Sequence, residues 1–132
     1  MIKENFERFA KSDFGLEIYS KEKLIFRSKK EGIKGLLEFI KKNKKSVKDL
    51  IIFDKKVGNA VALISVYIGA KGVFGVVGSK SAEKTFKKFK IKSYFLKTIP
   101  RILNKKGTDI CPLEKLSFSK TPKEFYGLVK NG

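Results

Sequence analysis

The chain has 132 residues, enough for one domain (1–132) with a proper core, and 42% hydrophobic content argues against disorder. Thirty-one Lys and Arg against 13 Asp and Glu give a formal charge of +18, with no histidine and one cysteine. That inventory removes Ser-His-Asp and Cys-His nucleophile systems, which need an imidazole base, and zinc hydrolysis of the deaminase type, whose ligands are His and Cys.

In chain order, Asn5 to Ser12 places Phe6, Phe9 and Ala10 on one side and reads as a short amphipathic helix. Gly15 to Tyr19 and Lys23 to Arg27 are strand-like runs joined by Ser20-Lys21-Glu22, a hairpin. Gly32 to Asn43 spaces Ile33, Leu36, Leu37 and Ile40 as one helical face. Leu50 to Phe53 is a continuous apolar strand, and Val57 to Lys71 is a helix apolar almost all round; both belong at the centre of a core. Gly72 to Gly78 reads as a second buried strand, followed by a helix with Ala82, Phe86 and Phe89 capped by Ser79 or Ser81. Ser93 to Leu96 makes a third, short strand. Beyond Pro100 lies a polar stretch, then two helix starts with proline at the first position, Cys111-Pro-Leu-Glu114 and Thr121-Pro-Lys-Glu124. The alternation from residue 32 onward predicts an α/β fold with parallel strands between helix layers.

In such a sheet ligands bind beyond the carboxyl ends of the strands. Asp54-Lys55-Lys56-Val57-Gly58 is predicted there. Gly58 and the helix amides suit an anion, Lys55 or Lys56 adds charge, and Asp54 orients it or serves in acid–base work. A plain alternative is that Asp54 caps the helix and the lysines are solvated. Gly78-Ser79-Lys80-Ser81 has the same logic but is fully explained by a capped turn, and Lys29 to Gly32 is a candidate opposite wall. Cys111, at a helix start near Lys105, Lys106 and Lys115, is either a thiolate nucleophile or an inert small cap. No phosphate-binding P-loop or dinucleotide glycine fingerprint occurs.

The positive charge is an electrostatic footprint for nucleic acid. However, only Arg8, Arg27 and Arg101 are arginines, and a lysine-, isoleucine- and phenylalanine-rich composition also follows from AT-rich coding. A small-molecule ligand is therefore the favoured partner over nucleic acid. The longest apolar run, Val57 to Ala70, is below the roughly 20 residues of a membrane span. The single cysteine and the absence of an apolar signal core at Met1-Ile-Lys-Glu predict a cytoplasmic location.

The pattern Asp54-Lys55-x-Val57-Gly58-x-Ala60-x-Ala62, followed by Asn104-x-x-Gly107-x-x-x-Cys111-Pro112-x-Glu114, resembles a prokaryotic family of unknown function. Gly32-Ile33-Lys34-x-Leu36-Leu37 is similar to its upstream element, and the likeness spans roughly residues 12 to 120. Gly35, where that family has proline, and Lys105, where arginine is usual, depart from it. The resemblance implies a three-layer, cytidine-deaminase-like fold without the zinc ligands: a mixed sheet of about five strands, an N-terminal hairpin plus parallel strands. It also implies that Asp54, Lys55, Gly58, Asn104, Gly107, Cys111 and Glu114 converge on one site. On that scheme Cys111, Asp54 and Glu114 are the catalytic candidates. Lys55, Gly58, Asn104 and Gly107 bind the ligand, with no metal or cofactor. The readings kept beside it are a basic RNA-binding module without catalysis and a non-catalytic sensor or subunit.

Overall fold

In the computed structural model, which describes residues 2–43 and 47–131, five strands form one mixed sheet ordered β2-β1-β3-β4-β5. Helix α1 (Ile2–Lys11) leads into β1 (Leu16–Ser20) and β2 (Lys23–Ser28), an antiparallel hairpin. Its two loop residues, Lys21 and Glu22, both have positive φ (50° and 68°), the turn geometry whose twist matches paired strands. Strand β1 also pairs antiparallel with β3 (Leu50–Val57). From β3 the sheet is parallel, through β4 (Gly72–Ser79) to β5 (Lys92–Ile99) at the far edge. The remaining helices are α2 (Lys34–Lys42), α3 (Asn59–Tyr67), α4 (Lys80–Lys88), α5 (Pro112–Ser117) and α6 (Pro122–Val129). The expected α/β class, with an N-terminal hairpin and parallel strands, is what forms.

Alternate residues of β3 serve opposite faces, as the two-residue period of a strand requires. Ile51 and Phe53 join Phe74 and Tyr19 against Phe6 and Phe9 of α1. Leu50 and Ile52 belong to the larger core with Leu36 and Phe39 of α2, Ala82 and Phe86 of α4, and Phe125 and Val129 of α6. Helix α3 runs through that core, with residues 59–65 all buried. Its apolar circumference follows from having neighbours on several sides.

Several boundaries differ from the sequence expectation. Strand β3 continues to Val57 instead of stopping at Phe53, because Lys56 and Val57 keep their pairing with Val77 and Gly78 of β4. Helix α3 therefore begins at Asn59, after an extended Gly58, and ends at Tyr67. Strand β5 spans eight residues where four were expected. It is an edge strand with mostly exposed side chains, so it lacks the apolar run that marks a buried strand. Helix α2 starts at Lys34, with Ile33 at the cap. Both predicted caps near α4 and α6 form: the Ser79 hydroxyl accepts from the Ala82 amide at 3.1 Å, and Thr121 and Glu124 make a reciprocal capping box.

Candidate functional site

A cavity of about 720 Å³ opens at the carboxyl ends of the parallel strands. Five separate stretches build it: residues 13–15, 29–34, 54–61, 102–105 and 111–114. The chain folds back after β5 to close one side, through a short antiparallel bridge between Leu103 and Ile110. The Cys111 amide donates to the Ile102 carbonyl at 3.0 Å, which sets the start of α5 against the cavity. Asp54, Lys55, Gly58, Asn104, Cys111 and Glu114 all contribute to the lining, as do residues 29–32.

Asp54 lies in β3 on the face shared with Leu50 and Ile52, opposite Leu16 of β1 and Gly75 of β4. It is buried, and its Oδ1 accepts from the Lys56 amide at 3.0 Å. Removal from water dominates over that bond and over the charge of Lys55, and pushes its pKa up to about 8. At neutral pH the cavity wall thus carries a protonated carboxylic acid, able to donate a hydrogen bond. Because β3 runs past it, Asp54 does not cap α3.

Lys55 points the other way. Its ammonium donates to the carbonyls of Ser12 and Phe14 at 2.5 and 2.6 Å and lies 4.6 Å from the Phe9 ring centre. The side chain is a tie between β3 and the end of α1, so anion binding by its ammonium does not fit the geometry. The exposed lysines at the cavity are instead Lys29, Lys30, Lys34, Lys56 and Lys105. Lys29 pairs with Asp13 and Lys30 with Glu38, leaving Lys34, Lys56 and Lys105 outside the described ion pairs.

The amino terminus of α3 already holds a carboxyl group. Glu114, buried on α5, accepts from the Asn59 amide at 2.8 Å and the Ala60 amide at 2.7 Å. Desolvation raises its pKa while the two amide bonds pull it back. A β-carbon on residue 58 would meet this carboxylate at about 2.5 Å, so Gly58 is required for the approach of Glu114. The amides expected to bind a ligand here are therefore committed to Glu114. Asn59 extends the network: its amide nitrogen donates to the Ser117 hydroxyl at 2.9 Å, its oxygen accepts from Thr85, and Ser117 donates to the Glu114 carbonyl at 2.7 Å. Helices α3, α4 and α5 are joined by buried polar contacts behind the cavity, a link the apolar pattern of α3 concealed.

Asn104 and Gly107 form a turn. The Asn104 side chain accepts from the Thr108 amide at 3.0 Å and donates to the Thr108 hydroxyl at 3.2 Å. Gly107 has φ of +71°, a conformation open to glycine, and does not line the cavity. Convergence of Gly107 on the site is thus corrected: it shapes the arm that carries Asn104. Cys111 is half-buried at the cavity wall, heading the six-residue α5 without a side-chain cap bond. The Lys115 ammonium is held by Asp109 at 2.5 Å. Residues 32–34 and 58–60, at the starts of α2 and α3, include no His or Cys. Among the described residues no three His, Cys, Asp or Glu side chains gather as a metal site. The helix starts do not fit a deaminase-type zinc ion.

Fold and site together define an α/β protein with a strand-end cavity walled by a buried acid and rimmed by lysines. The chain belongs to the TM1506 family, a domain of unknown function (DUF1893), whose model matches residues 5–132. It is similar to a DUF1893 family protein (TM1506) from Thermotoga maritima, known from a 2.70 Å crystal structure, at 29% identity and a TM-score of 0.87. The match covers 98% of this chain and 88% of that one. No curated protein matches the sequence.

Proposed function

We propose that the protein binds a small anionic, nucleotide-like ligand in the strand-end cavity, on a metal-free, cytidine-deaminase-like scaffold. The observation that carries this reading is the pairing of a buried Asp54 in the wall, whose pKa burial raises to about 8, with exposed Lys34, Lys56 and Lys105 at the same cavity. A neutral acid donates to a carbonyl or ring nitrogen, while ammonium groups attract phosphate or carboxylate. A volume of about 720 Å³ lies within the usual range for small-molecule sites. The strand order 2-1-3-4-5, with the hairpin antiparallel to a parallel β3-β4-β5 set, supports the deaminase-like scaffold. The thiol of Cys111 is the nucleophile that this scaffold offers at the cavity wall.

Among the described residues no helix is long and apolar enough to cross a membrane; the cytoplasmic location belongs to the same proposal and rests on the single cysteine. The test is thermal denaturation with millimolar CMP, UMP, AMP, GMP or inorganic phosphate. A nucleoside monophosphate should raise Tm in a concentration-dependent way, as ligand linkage requires. Lys56→Glu should remove most of that rise. Failure of every monophosphate to shift Tm overturns the reading.

A further inference from the structure

We propose that the exposed surface of α4 and β5 is a track for a single-stranded polynucleotide, leading towards the mouth of the cavity. The excess charge is not spread evenly. Residues 80–106 hold ten Lys or Arg and one acid, Glu83, so about a fifth of the chain carries half of the net +18. What sets this stretch apart is its lack of acids, since residues 21–56 hold thirteen Lys or Arg but also five Asp or Glu. Lys84, Lys87 and Lys88 on α4 and Lys92 and Lys97 on β5 are exposed, and none belongs to a described ion pair. Lysines on an edge strand also discourage pairing with another sheet, but that need does not extend to α4.

Helix α4 packs on one face of β5 through Phe86 and Phe95, whose ring centres are 6.4 Å apart. Tyr94 lies on the opposite face with Phe6 and Phe74, and Lys92 shares its side. The charges of α4 and β5 thus meet along the exposed edge of the sheet from both faces. Exposed rings lie at this edge on both faces: Phe89, at the end of α4, is 37% accessible, and Tyr94, on the α1 side of the sheet, is 52% accessible. Cationic side chains interleaved with accessible aromatics suit a strand whose bases are free to stack. A duplex offers only its backbone, and an acidic peptide has no bases to place on the rings. At the end of β5 a groove of about 450 Å³, bordered by Ile99, Arg101 and Lys56, continues from the track and shares Lys56 and Asn104 with the main cavity.

The test is fluorescence anisotropy of the full chain with labelled twelve-nucleotide oligo-U and oligo-dT. Binding should weaken at least about tenfold between about 50 and 200 mM salt, through counterion release. The triple variant Lys88→Glu, Lys92→Glu, Lys97→Glu should lose roughly tenfold or more in affinity. A control of equal charge change on exposed residues near the opposite edge, Lys21→Glu, Lys23→Glu, Lys41→Glu, should change it less than about twofold. Tyr94→Ala should weaken binding at least about fivefold, with Tyr94→Phe retaining it, and melting curves check that each variant is folded. Equal binding of U and dT assigns recognition to phosphate and base; tighter U binding adds the 2′-hydroxyl. Equal losses in both triple variants, equal binding of a duplex or of polyglutamate, or no binding at about 50 mM salt overturns the proposal. Monophosphate binding in the cavity is measured separately, so either reading can fail alone.

Discussion

The carboxyl carbon of Glu114 lies about 2.5 Å from the point a β-carbon on residue 58 would occupy, although 55 positions separate Glu114 from Asn59, the next residue. Gly58 and Glu114 thus form one device: the glycine admits a carboxylate that satisfies the first amides of α3. Gly58→Ala should displace Glu114 and leave buried amides unpaired, costing roughly 3 kcal/mol. Glu114→Gln, which keeps the shape but turns one acceptor into a donor, should cost about 1–2 kcal/mol. Urea unfolding of the two variants measures both; a Gly58→Ala protein as stable as the parent would remove this account of the glycine.

Asp54 predicts a pH dependence. Its folded pKa of about 8 lies above the ordinary 3.8, so the native state holds a proton that the unfolded chain releases. The contribution of this group is fully present below the unfolded pKa and falls as pH rises from about 4 towards 8, at up to about 1.4 kcal/mol per pH unit. Asp54→Asn removes the titration and keeps an acceptor for the Lys56 amide. The stability of the variant minus that of the parent should therefore grow across that window. A difference independent of pH would show that Asp54 is ionised in the fold.

Lys55 and Lys56 are adjacent yet should behave oppositely. Lys55→Met breaks two charge-assisted bonds to the Ser12 and Phe14 carbonyls and should cost roughly 2 kcal/mol, without weakening monophosphate binding by the folded protein. Lys56→Met, at an exposed position, should change stability by less than about 0.5 kcal/mol and weaken monophosphate binding. Paired measurements of unfolding and ligand-induced Tm shift separate the two.

Cys111 offers a direct probe of the cavity. Its thiol is half-buried in the wall, so a bulky maleimide attached there should abolish the monophosphate-induced rise in Tm. Saturating UMP should in turn slow labelling several-fold. Labelling at the same rate with and without every monophosphate that raises Tm would place those ligands elsewhere.

Elements with strong internal patterns were legible in the sequence. The two-residue turn at Lys21-Glu22, the capping box at Thr121 and Glu124, and the apolar α3 each express their structure within a few residues. The carboxyl end of β3 and most of β5 were not, because their identity comes from pairing with β4. Strand β5 has only Phe95 and Ile99 half-buried, so nothing along it alternates in the way a half-covered strand does. Position in the cavity was legible for Asp54, Gly58, Cys111 and Glu114, but the work of individual atoms was not. Side-chain direction in β3 depends on where the strand ends. Moving that end from Phe53 to Val57 puts Asp54 and Lys55 on opposite faces. The partnership of Asn59 with Ser117 is equally invisible to spacing, since 58 positions separate them.

The occupation of the α3 terminus by Glu114 also gives the cavity a polarity. With those amides already paired from within, the ammonium groups at the cavity are those of exposed side chains, while Asp54 is buried. A molecule with a charged end and a neutral hydrogen-bonding end meets the two in different places: its charge belongs at the opening, in contact with water, and its neutral end inside. On the proposed reading the ligand would enter in one orientation, its neutral end directed inward against β3.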